Sequence, residues 1–207
     1  MIFTSLQINT QIYGGSLLFA FIIFKMFQGS IFIRNENIQI LLRNILFLYL
    51  ESIVITDALL ENQMLYDRPT TIENSMQKYE DANIQKMVLY ILLMEFIYYT
   101  VHRIIHHRIF YKWIHKQHHE NYSVVPGDAF YSSLIENNLI LFSYYLPILA
   151  FPLSVLEHKA IMIFYNTSFY LSHSDIVYNH HSIHHKFHHY NYSLLLPIFD
   201  IIFGTSK

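Results

Sequence analysis

The chain has 207 residues, 53% of them apolar and only 14% charged, and carries 13 Lys and Arg against 15 Asp and Glu. Soluble globular domains are usually about one-quarter charged, so the deficit points to a membrane bundle, and with a near-neutral balance and no long basic block nothing suggests nucleic acid as a partner. There is no cysteine, which excludes disulfides, thiolate zinc sites, iron–sulfur clusters and a cysteine nucleophile together.

In chain order, Met1 to Gln11 reads as a short leader without a basic n-region or a small-residue cleavage site. Residues 12–33 are apolar and long enough to span a bilayer, with one interior Lys25. Residues 38–60 are apolar but carry Arg43, Glu51 and Asp57, so they form either a span whose polar side chains face protein or a helix lying at the interface. Glu61 to Asn83 is a hydrophilic linker with Pro69 and five acidic residues against Arg68 and Lys78. Ile84 to Val101 is the next apolar helix, and Pro126 and Gly127 break the run from Asn121 to Asp128. Leu134–Leu156 and Ala160–Leu171 read as a helical hairpin turning at Glu157, His158 and Lys159. A histidine-bearing helix follows His173, and an apolar LLLPIFDIIFGT closes the chain. The expected fold is all-α: an integral-membrane helical bundle of about four spans with a histidine-rich helical cap. Residues 1–83 would supply membrane helices and the acidic linker, and residues 84–207 the histidine-bearing domain.

All 14 histidines lie between positions 102 and 189. They include an HxxxH (His102, His106) and two HxxHH runs (His115, His118, His119; His181, His184, His185). Imidazole is the commonest side-chain ligand for transition metals, and positions i, i+3 and i+4 share a helix face. Each run can therefore present a fan of nitrogens to one point. On one straight helix, His102 and His115 would differ by about 220° and roughly 20 Å of rise, so a break is predicted between His107 and Tyr111. Arg34 lies between the first two apolar segments, and Arg103, Arg108, Lys112 and Lys116 surround the first fan, while the linker is acidic. The positive-inside tendency then turns the histidines to the cytosol.

An HxxxH at a helix end, an HxxHH, and a late HxxHH followed after five residues by Asn191 and Tyr192 together resemble the fatty acid hydroxylase/sterol desaturase superfamily of integral-membrane, non-haem di-iron oxygenases. The resemblance covers roughly residues 88–205 and includes the His102–Arg103 pair, His173 in LSHSD and the terminal FDIIFGT. HHSIHHKFHHYNY looks nearest to the C-5 sterol desaturase branch. The resemblance implies His102, His106, His115, His118, His119, His173, His181, His184 and His185 as ligands to two iron ions, with zinc a possible substitute in isolated protein. The chain departs from the pattern at Tyr131, where many members carry a histidine in an A-F-H-P-like run.

The resemblance also implies dioxygen-dependent hydroxylation or desaturation of a sterol or fatty-acyl lipid. No GxGxxG or haem-attachment motif is present, so an external donor, a reductase or a small b-type cytochrome, is expected. The expected location is a multi-pass position in an endoplasmic-reticulum-like membrane of a eukaryotic cell or virus host. The alternative is a non-catalytic histidine-rich metal-binding membrane protein or metal carrier. A zincin is disfavoured because HRIIH lacks the glutamate of HExxH.

Overall fold

A computed structural model describes residues 2–66, 83–176 and 179–207. Its helices are α1 (Ile2–Met26), α2 (Ile38–Glu61), α3 (Ile84–Ile105), α4 (Arg108–Ile114), α5 (Leu134–Tyr145), α6 (Val155–Ser172), α7 (His180–Phe187) and α8 (Ile198–Ile202). The only strands among the described residues are β1 (Leu65–Tyr66) and β2 (Leu153–Ser154), which pair in parallel. Three helices are long and apolar enough to cross a membrane, Ile2–Met26, Asn35–Glu61 and Ile84–Ile105, with a shorter apolar helical run at Leu134–Leu149. The protein is an all-helical membrane bundle.

The leader is part of the first helix. Ser5 and Asn9 are buried rather than solvated: Ser5 donates to Asp57 at 3.0 Å, and Asn9 to Ser5 O, Ser52 O and Thr56 Oγ1 at 2.9–3.3 Å. These polar residues form the inner seam between α1 and α2: within residues 38–60, Ser52, Thr56 and Asp57 meet α1, whereas Arg43 is exposed. At the other end of α1 the chain turns sharply at Gln28, with φ 61°. Gly29 closes that turn with its N–H on Phe24 O at 3.0 Å, and a Cβ there would fall 2.2 Å from the Phe24 ring. Of the acidic linker, residues 67–82 lie outside the described residues.

The expected hairpin turn at 157–159 is displaced. Pro147 and Pro152 lack the N–H needed to continue the preceding helix, so α5 passes into a 3-10 turn at Leu146–Leu149 and the chain reverses before Ser154. Ser154 and Glu157 then form a reciprocal capping box that starts α6, with Ser154 N donating to Glu157 at 2.8 Å. Glu157, His158 and Lys159 therefore lie inside a helix.

α1 packs along α6 and α2, and α3 along α5. The connection between α1 and α2, the C-terminal end of α3, the start of α5 and the end of α6 all lie at one end of the bundle. Arg34 marks this: it donates to Asp128 at 3.1 Å and to Ser123 O. The β1–β2 pair and the Lys86–Glu157 ion pair, at 2.9 Å, lie at the opposite end.

Candidate metal centre

The histidines gather where α3 stops. α3 ends at Ile105, His106 caps it, and His107 adopts an extended backbone (φ −64°, ψ 138°) before α4 begins. The break thus falls at the first residue of the predicted interval, and it carries α4 back toward His102. His115 caps α4, whereas His118 and His119 lie in a 3-10 turn, His118–Glu120. α6 delivers His173 as its C-cap, and α7 carries His181, His184 and His185 before ending on left-handed His188 (φ 56°).

The nine histidines singled out in the sequence form two groups. His102, His106, His115, His119 and His184 make one; His118, His173, His181 and His185 make the other. In each group the candidate ligand atoms lie within 4.8 Å of one another. The expectation that each run fans onto one point holds for His102 and His106 but needs correction for the two HxxHH runs. In both HxxHH runs the i, i+4 pair stays together, and the third histidine crosses to the other group. Successive residues point about 100° apart in an α-helix and about 120° apart in a 3-10 turn, so adjacent histidines aim at different points, and His118 and His119, like His184 and His185, part company.

The ring nitrogens meet Nε2 to Nε2. His115 lies 3.2 Å from His102 and 3.0 Å from His119, and His184 lies 3.2 Å from His119. In the other group, His118 lies 3.1 Å from His173 and 3.2 Å from His185. Two nitrogens bound at right angles to one ion at about 2.1 Å are themselves about 3 Å apart, so this crowding fits shared metal coordination. Other buried nitrogens, His106 Nε2 and both ring nitrogens of His181, find no hydrogen-bond partner, as atoms that await an ion would.

The opposite ring edges are tethered. Nδ1 of His102 donates to Tyr192 O and Nδ1 of His184 to Tyr190 O, each at 2.7 Å. His173 donates to Phe169 O at 2.9 Å and His118 to Tyr131 O at 3.3 Å. Each bond fixes the tautomer that leaves Nε2 with a free lone pair. His115 differs: its Nδ1 lies 2.9 Å from the buried Glu136 carboxylate. Burial holds His106, His115, His118, His119, His181, His184 and His185 below the ordinary imidazole range, and brings His173 down to about 4. All are neutral near pH 7, the form that binds metal.

The motif residues around the histidines have defined work. Asn191 sits at φ 58° and donates to His180 O at 3.2 Å. Asp200 accepts from the backbone N–H groups of Tyr192 and Ser193 at 2.8 Å and from Thr205 at 2.7 Å, and lies 3.1 Å from His180 Nε2. It thereby holds the loop whose carbonyl orients His102. Tyr131 contributes its carbonyl to His118, while its hydroxyl donates to Glu120 at 2.7 Å, a carboxylate contact that pushes the phenol up to about 12. His107 and His189 are exposed, and His158 is buried against Tyr145, away from both groups. A groove of about 550 Å³ lined by His106, His107, Arg108, Tyr111, Lys112, His188 and His189 opens beside the five-histidine group.

The sequence model of a family described as fatty acid hydroxylase matches residues 87–205, almost the stretch delimited by the motifs. A fatty acid hydroxylase of Mycosarcoma maydis is 35% identical over 127 residues, 56% of this chain and 32% of its own length. A Delta(7)-sterol 5(6)-desaturase of Gibberella zeae is 29% identical over 136 residues, 58% of this chain and 37% of its own. A very-long-chain aldehyde decarbonylase of Oryza sativa subsp. indica is 27% identical over 136 residues, 55% of this chain and 21% of its own. The matched stretch is thus little more than a third of these relatives' length, or less. No solved structure matches.

Proposed function

The chain belongs to the fatty acid hydroxylase family, and from that premise we propose that it is an iron-dependent membrane oxidoreductase that uses dioxygen to hydroxylate or desaturate a sterol or fatty-acyl lipid. The observation that carries this reading is the convergence of nine neutral imidazoles on two points at one end of the bundle. His102, His106, His115, His119 and His184 would hold one ion, and His118, His173, His181 and His185 the other. A pair of irons there would supply the oxidising power that an unactivated C–H bond demands. The protein's part is preorganisation: carbonyls of Tyr131, Phe169, Tyr190 and Tyr192 lock ring orientation, and the buried site keeps bulk water from the reacting centre.

The relatives are named for action on a sterol, a fatty acid and a very-long-chain aldehyde, three apolar substrates that a membrane-edge site suits. Arg34, Arg103, Arg108, Lys112 and Lys116 lie at the histidine end, which supports placing that end in the cytosol. Electrons would then come from a cytosol-facing donor, a reductase or small b-type cytochrome. An endoplasmic-reticulum-like membrane fits this arrangement.

The test is metal content and lipid profile of protein purified from iron-supplied cells. About two irons per chain are expected. His118→Ala and His184→Ala should each remove about one, the double variant both, and each should lower lipid oxidation by more than the roughly 10–100-fold that outer-shell partners cost. Full metal content and full activity in both variants would overturn the assignment. Zinc or copper bound in place of iron, with metal flux and no lipid product, would instead establish a carrier.

A further inference from the structure

We propose that α4 and the groove beside it form a seat for an anionic phospholipid, separate from the histidine groups. α4 is seven residues long, far too short to cross a bilayer. Its Ile109, Phe110 and Trp113 are 61%, 42% and 74% exposed, and they share one side of the helix. Arg108 and Lys112, four residues apart, flank that side, and Lys116 follows in the next turn. An exposed apolar strip bordered by cations is the pattern of a helix lying in the headgroup layer. Its attachment to the end of α3, a helix of spanning length, sets it at that depth.

Between α3, α4 and the C-terminal α8 runs an open groove of about 650 Å³, whose walls include Phe96, Ile104, Phe110 and Phe203 and whose polar members include Arg103 and His107. Among the described residues no carboxylate lines it. Arg103 Nη1 donates to Tyr99 at 2.8 Å, which fixes the guanidinium at the groove's edge. The acidic residue nearest in sequence on α8, Asp200, is buried and engaged with Tyr192, Ser193 and Thr205. An acyl chain suits the aromatic walls, and the phosphate of its headgroup suits Arg103 at the groove's edge, with Arg108 at the start of α4 among the cations that border the apolar strip. A zwitterionic headgroup would bring a second cation to a rim that already carries several, so charge complementarity selects a net anionic lipid.

The experiment uses the full chain reconstituted in nanodiscs of phosphatidylcholine with a minor fraction of phosphatidylglycerol, followed by native mass spectrometry of lipids retained after detergent extraction. Phosphatidylglycerol should be retained in preference to phosphatidylcholine. Arg103→Gln and Arg108→Gln should each lower that retention about fivefold, the factor carried by one cation beside an anionic headgroup. Ile104→Trp, which narrows the groove, should lower retention of both lipids. Arg108 makes none of the contacts that hold Arg103 to Tyr99, so its variant remains informative if Arg103→Gln disturbs folding. Equal retention of the two lipids, or a preference for phosphatidylglycerol that survives both arginine substitutions, would refute the seat. The readout depends on neither metal nor turnover, so it stands or falls apart from the proposed oxidoreductase activity.

Discussion

Glu136 contacts a candidate ligand, yet no histidine pattern points to it. It sits on α5, one turn inside the Ser133 cap, and its carboxylate reaches within 2.9 Å of His115 Nδ1. The other tethered rings rest on backbone carbonyls, so His115 alone among them lies against an acidic side chain, a contact placed to orient the ring. Glu136→Gln keeps the shape and removes the acid. The expected outcome is a loss of affinity at the five-histidine group of about 10–100-fold, with the four-histidine group still loaded, read as metal retained per chain against a graded chelator. Equal weakening of both groups would show a general packing effect instead. A signal for Glu136 was present in the sequence, since an acidic residue in an otherwise apolar helix is a functional candidate. The partners of His102, His118, His173 and His184 had no such signal, because a backbone carbonyl has the same chemistry under any side chain. Tyr131, where the chain departs from the family pattern, serves His118 in the same way, through its main chain, while its ring turns to Glu120.

At the level of elements, the long apolar runs and the histidine spacing were legible, because hydrophobic length and imidazole periodicity are local properties. What was not legible depended on partners distant in the chain. Ser5 and Asn9 look like a leader until Ser52, Thr56 and Asp57 face them, and the displaced hairpin turn required two prolines to outweigh a charged triplet. That each HxxHH run divides follows from the angle between adjacent residues, but which histidines then meet depends on where α3, α6 and α7 end relative to one another. Asn44 shows how such elements support the centre. It is fully buried on α2 and donates to Phe130 O at 2.7 Å and Ser132 O at 2.9 Å, on either side of the carbonyl that orients His118. Asn44→Ala would strand two buried carbonyls, at a cost of about 1–3 kcal/mol for each unsatisfied group. A lowered midpoint of thermal unfolding in detergent is expected, with faster metal release from the four-histidine group than from the other. Unchanged release from both groups would mean that Tyr131 is held by other contacts.

For the molecule as a whole, the concentration of so many neutral imidazoles at one end of a membrane bundle couples its integrity to pH. In an unfolded chain the histidines titrate near 6.5. In the folded one, burial lowers His115, His118, His119, His181, His184 and His185 well below that, and His173 to about 4. Between these limits the unfolded state binds more protons than the folded state, so stability rises with pH through this window and falls as pH is lowered. Above about pH 7 both states are neutral and the penalty vanishes. Metal binding requires the same neutral form, so protons and ions compete for one set of nitrogens. Metal release and loss of the folded bundle should therefore begin as pH drops below about 6.5 and be far advanced near 4. Metal-free protein should unfold at a higher pH than loaded protein, because bound ions stabilise only the folded state. Metal retention after gel filtration, followed together with circular dichroism across pH 8 to 4, checks this. If metal-free and loaded protein unfolded at the same pH, the two histidine groups would not be the place where metal and fold are linked.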